Sequence, residues 1–86
     1  MPSAKVLFGR QVRILRIDQH LSQEKLSEMC DFHRNHVGRI ERAERTITFD
    51  GVLRLAHALN VNPDVLWKLV PIPKRLPPKK KKPKEQ

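Results

Sequence analysis

The stretch Ser22-Gln23-Glu24-Lys25-Leu26-Ser27-Glu28-Met29-Cys30-Asp31-Phe32-His33-Arg34-Asn35-His36-Val37-Gly38-Arg39-Ile40-Glu41-Arg42 decides the fold. It opens on a helix start. The Ser22 hydroxyl can accept from the free N–H groups of a first turn, and Leu21 can staple onto Leu26 across the cap. Lys25 stands where a full capping box has Glu, so the cap is partial. This helix runs to about Met29 or Cys30, because Asp31 opens a short break before the next apolar position, Phe32. His33 can cap a further helix, Arg34 to Arg42, with Val37 and Ile40 facing inward. Leu26, Cys30, Phe32, Val37 and Ile40 supply the apolar positions, and Ser27 is small enough to let the two helices cross closely.

Working outward, Phe8, Val12 and Leu15 fall at i, i+4 and i+7 and predict an amphipathic helix from Lys5 to Gln19. Arg10, Gln11 and Arg13 lie off that stripe, and Gly9 weakens the first turn without ending it. On the other side, Thr48 can cap a helix from Phe49 to Leu59, with Phe49, Val52, Leu55 or Ala56, and Leu59 inside. Asn62-Pro63 is a fifth start, since Asn suits the cap and Pro the first helical position, and this short helix extends to about Leu69. Beyond it Pro71, Pro73, Pro77, Pro78 and Pro83 stand among lysines with almost nothing to bury, which predicts an extended or disordered tail. No strand-period segment of useful length and no internal repeat is present. The expectation is an all-α, compact five-helix domain over 1–70 and a disordered basic tail over 71–86.

Eighty-six residues allow one domain with a modest core, and with only 5% aromatics that core must come from Leu, Ile and Val. The formal charge of +9 points toward an acidic polymer, but residues 71–86 alone carry +6 and leave +3 on residues 1–70. Charge by itself fits DNA, RNA or an anionic membrane equally. The single cysteine, Cys30, excludes an internal disulfide and a Cys-rich zinc site, and its apolar register makes it a core residue. No apolar run has the length of a membrane span and no signal-peptide core precedes the first helix, so a cytoplasmic protein is expected.

Two short helices joined by a three- or four-residue break are the sequence form of a helix-turn-helix. Such a pair projects the N-terminal half of its second helix outward, where it fits the DNA major groove. Four segments carry a closer resemblance: Phe8 to Arg16, Leu21 to Ser27, His33 to Arg42, and Leu53 to Val61. In order and spacing they resemble the Cro/CI-type (XRE) helix-turn-helix family, which includes phage repressors and restriction-modification controller proteins. The resemblance covers roughly residues 5–68. It implies a lambda-repressor-like bundle of five helices and a transcriptional regulator, repressor or controller, that binds a palindromic operator as a homodimer.

Carried over position by position, the resemblance makes Arg34, Asn35, His36 and Arg39 the base-contacting residues. Ser22, Gln23, Arg42, Arg45 and Thr46 become contacts to the DNA backbone, with Gln23 also bracing the second motif helix. Arg16 and Glu41 match an ion pair that joins the first helix to the third. Three positions depart from the pattern. Asp31 stands where Gly is usual, Ser27 where Ala is usual, and Ala43 where Gly follows the third helix. The chemistry suits the placement, because Arg can bond guanine O6 and N7 together and Asn can pair with adenine N6 and N7.

Each residue also has a plainer reading. Arg34, Asn35 and Arg39 could be ordinary solvent-facing side chains, and Arg16 with Glu41 an exposed pair of little worth. His33 and His36 are spaced like metal ligands, yet no third or fourth ligand lies near them in sequence, so no metal and no cofactor is expected. Trp67, Leu69 and Val70, with Ile72, either cap the bundle or form a homodimer interface; the symmetric operator favours the interface. The lysine run could solubilise the chain, add phosphate contacts or serve as a nuclear localisation signal. A second function class is a protein-interaction module, such as an antitoxin that binds a partner protein, with DNA secondary. An enzyme finds no paired-carboxylate, nucleophile–base or phosphate-loop pattern, and no small-molecule ligand is expected.

Overall fold

Four α-helices and one 3-10 segment make up the computed structural model, which describes residues 2–72 and Lys74. Helix α1 spans Ala4–Asp18, α2 Gln23–Met29, α3 His36–Glu41 and α4 Phe49–Leu59, and Pro63–Trp67 is 3-10. No strand occurs among the described residues. The lysine-rich segment from 75 onward, expected as a disordered tail, lies outside them.

Side-chain caps set the starts. Ser3 accepts from the Val6 N–H, Ser22 from Lys25 and Thr48 from Gly51, each at the third residue on. Helix α4 therefore begins and ends where Thr48 and Leu59 predict, and Asn60 closes it in the left-handed conformation at φ 58°. The expected fifth helix is shorter than predicted and 3-10 rather than α. Its N–H groups reach back only three residues, Val65 to the Asn62 carbonyl and Lys68 to the Val65 carbonyl, which is the 3-10 pattern. It still buries Leu66 completely.

The core is Phe8, Val12, Leu26, Cys30, Val37, Ile40, Val52, Leu55, Ala56, Leu59 and Leu66. Helix α1 packs on α3 and on the 3-10 segment, α2 on α3, and α4 on the 3-10 segment. Two expectations fail here. Phe49, assigned to the inner stripe of α4, is 83% exposed, because the first residue of the helix lies beyond the edge of the bundle. Gln11, assigned to the outer face of α1, is buried, and its amide donates to the Val65 carbonyl at 3.0 Å. That bond ties α1 to the 3-10 segment.

Gly9 has a packing role that its helix propensity hides. A Cβ there would lie 2.5 Å from the Ile40 carbonyl oxygen and 2.9 Å from that of Glu41. Only glycine lets α1 approach the end of α3 so closely, and α3 is thereby seated against the bundle.

Candidate nucleic-acid interface

The break between α2 and α3 is built from backbone and side-chain bonds that end one helix and start the next. Asp31 takes the left-handed conformation at φ 61°, which Asp tolerates better than most residues, and Phe32 N–H then reaches back to Ser27 O at 2.9 Å. His33 accepts from the Asn35 N–H on Nδ1 at 3.3 Å, and its carbonyl accepts from His36 N–H at 2.9 Å. The chain is thus still in a turn at Arg34 and Asn35. Helix α3 begins at His36, two residues later than the sequence predicts, and ends at Glu41. Its first-turn N–H at Val37 donates to the Ser27 hydroxyl at 3.1 Å, inside the protein. Sequence reasoning treated Ser27 only as a small residue and missed this bond between the two helices.

The far end of α3 is held by Glu41. Arg16 donates to it twice, Nε to Oε2 at 2.6 Å and Nη2 to Oε1 at 3.1 Å, and Gln23 Nε2 adds a third bond to Oε1 at 2.9 Å. Arg16 Nη1 also donates to the Leu21 carbonyl at 2.8 Å. The two charged side chains are 11% and 2% exposed, so this is a buried, fork-shaped ion pair. A Cβ on Gly38 would lie 3.0 Å from Gln23 Oε1 and 3.1 Å from Arg42 Nη1. Gln23 therefore lies flat along α3 and links the start of α2 to it. One network fixes α1, α2 and α3 together.

With its ends held, α3 presents a basic surface. His33, Asn35, His36, Arg39 and Arg45 line one open groove that no carboxylate enters. The His36 ring stacks on Phe32 at 4.3 Å, and partial burial, followed by the charges of Arg45, Arg39 and His33, lowers its pKa below the ordinary 6.5. His33 was not assigned to this surface from sequence; its place two residues before Asn35 was the available signal. Arg34 is exposed in the turn, its Nη2 bonded to Glu24 Oε2 at 2.6 Å. Arg42 pairs with Glu44 at 3.0 Å, which holds the Arg42 pKa above and the Glu44 pKa below their usual values. Arg45 and Thr46 are exposed in the loop after α3, which turns at Ala43 with φ 60°. Ser22 is exposed, but its hydroxyl is engaged by the Lys25 N–H.

The apolar residues assigned to an interface are split by the structure. The Trp67 ring packs against Phe8 with centroids 4.7 Å apart and stays partly exposed; Leu69 is exposed and Val70 half-buried. Burial pushes the Cys30 thiol up to about 11, as befits a core residue. Among the described residues, no group of three or more His, Cys, Asp or Glu could hold a metal ion, and no helix is long and apolar enough to cross a membrane.

The chain is similar in sequence and in shape to known proteins. The family profile described as helix-turn-helix matches residues 12–66. Control protein C.BamHI of Bacillus amyloliquefaciens is 40% identical over 60 residues, covering 69% of this chain and 74% of that protein. Control protein C.SmaI of Serratia marcescens is 38% identical over 69 residues, covering 72% and 82%. The crystal structure of the restriction-modification controller protein C.AhdI from Aeromonas hydrophila superposes with a TM-score of 0.70 at 39% identity, covering 71% of this chain and 92% of that one. The profile, the identities and the shared fold agree: the chain belongs to the XRE-type helix-turn-helix family of DNA-binding transcription regulators.

Proposed function

We propose that this chain is a controller-type regulator that binds a palindromic operator as a homodimer, one copy to each half-site. The observation that carries the reading is the groove of His33, Asn35, His36, Arg39 and Arg45, free of carboxylates, on a helix held by the buried Arg16–Glu41 pair. Arg34, Asn35, His36 and Arg39 face base edges, and Arg42, Arg45 and Thr46 hold phosphate. Gln23 sets the register through Glu41, with Ser22 beside it at the N-terminus of α2. Leu69, Val70 and the exposed edge of Trp67 join the two copies, while the buried side of Trp67 caps the bundle. The 3-10 segment serves as the fifth helix of the lambda-repressor-like bundle, and residues 1–70 form the domain. The tail, 71–86, adds phosphate contacts that carry no sequence information.

No catalytic role enters this reading. Control over a restriction-modification system is favoured because the relatives C.BamHI, C.SmaI and C.AhdI are control or controller proteins. The test is an Arg34→Ala variant titrated against a selected duplex and its single-base variants. A bidentate guanine contact is worth about 1–3 kcal/mol of discrimination, so selectivity at one position should relax by roughly fivefold or more. Full selectivity in the variant would remove Arg34 from the base-reading set.

A further inference from the structure

We propose that Glu24 is a specificity-determining residue: it holds the Arg34 guanidinium away from phosphate and shares a G·C pair with it. The inference rests on the DNA-reading role given to Arg34 above. The two side chains come from opposite sides of the break, Glu24 from the first turn of α2 and Arg34 from the turn before α3, and meet at 2.6 Å. Their side chains are 63% and 69% exposed. An exposed pair of this kind adds little to stability, and the N-terminus of α2 favours an acid at Glu24 without fixing which partner its carboxylate takes. The partner it takes is a reading residue. Arg39 and Arg45, by contrast, make no ion pair among the described residues.

An unpaired arginine in the turn before a recognition helix can bond a phosphate of any sequence as readily as a base, and each such contact raises affinity without discrimination. Paired with Glu24, Arg34 brings no net charge to the duplex, and a phosphate that approaches it meets the carboxylate as well. A guanine edge is different, because O6 and N7 carry no formal charge. Glu24 engages Arg34 through one oxygen and one guanidinium nitrogen, Oε2 to Nη2. The remaining donors of the fork are left for guanine, and Oε1 can accept from a cytosine N4 amino group. The pair is complementary to G·C and unrewarding to a phosphate.

The test uses the full chain with two duplexes of equal length, one recovered by selection from a random pool and one scrambled. Glu24→Gln should bind the scrambled duplex more tightly, with a salt slope steeper by about 0.9, the signature of one added phosphate contact. The ratio of affinities for the two duplexes should fall about tenfold, and Glu24→Ala should do the same while still unfolding in one cooperative transition. In an Arg34→Ala background, Glu24→Gln should change that ratio less than about twofold. A ratio unchanged by either Glu24 substitution overturns the proposal. An equal fall in the Arg34→Ala background also overturns it, since a simple long-range charge effect would be acting. If the wild-type chain itself enriches no sequence, the regulator reading fails and this one with it.

Discussion

His36 shows how one side chain on this surface is tuned by its neighbours. Partial burial against Phe32 comes first, and the positive charges of Arg45, Arg39 and His33 follow, all disfavouring the imidazolium. The folded value lies below the unfolded one, near 6.5, so the unfolded chain binds more protons between the two. The stability contributed by His36 is present above about pH 6.5 and lost as pH falls through the lowered folded value. Urea midpoints should decline from pH 7.5 to 5.5 more steeply in the wild type than in His36→Gln; equal slopes would contradict the assignment. Ala43 is a second residue with a measurable consequence. Its φ of 60° costs a non-glycine residue about 1–2 kcal/mol, against the entropy that glycine loses on folding. Ala43→Gly should raise stability by about 0.5–1 kcal/mol in denaturant unfolding.

Among the elements, α3 depends most on others. Six residues cannot hold a helix by propensity, and its stability comes from what receives its ends. Ser27 takes the Val37 N–H, Arg16 and Gln23 take Glu41, and Gly9 leaves room for the last turn. Glu41→Ala strands the Arg16 guanidinium in a buried site, and unfolding experiments should show a loss of about 3–5 kcal/mol. A loss below about 1 kcal/mol would make the pair equivalent to an exposed one. The elements differ in how plainly the sequence announces them. Thr48 through Leu59 carries its own cap and a clear inner stripe, so both ends of α4 were legible. Helix α3 was legible by its pattern but placed two residues too early, because the turn that delays it depends on the ring of His33. Pairings between elements leave no periodic trace. Glu24 with Arg34, Ser27 with Val37 and Gln11 with Val65 follow from the arrangement of helices, and sequence patterns carried the residue types without their partners.

On the scale of the molecule, net charge is a poor guide and geometry a good one. Most of the excess positive charge belongs to 71–86, whereas the basic groove arises from side chains that the fold gathers from the turn before α3, from α3 and from the loop after it. The carboxylates near that face are held at arginines, Glu24 at Arg34 and Glu44 at Arg42, and Glu41 is turned inward. On the proposed reading, such a molecule gains affinity from its phosphate contacts and selectivity from few side chains. The homodimer proposed above would place two α3 faces about one helical turn of DNA apart, or a multiple of that. The measurement that tests this most directly is selection of duplexes bound by the full chain from a random pool at fixed salt. The account predicts a palindromic consensus with half-site centres about ten base pairs apart, or a multiple, and a G·C pair whose enrichment disappears in Arg34→Ala. Recovery of unenriched sequence by the wild-type chain would contradict it.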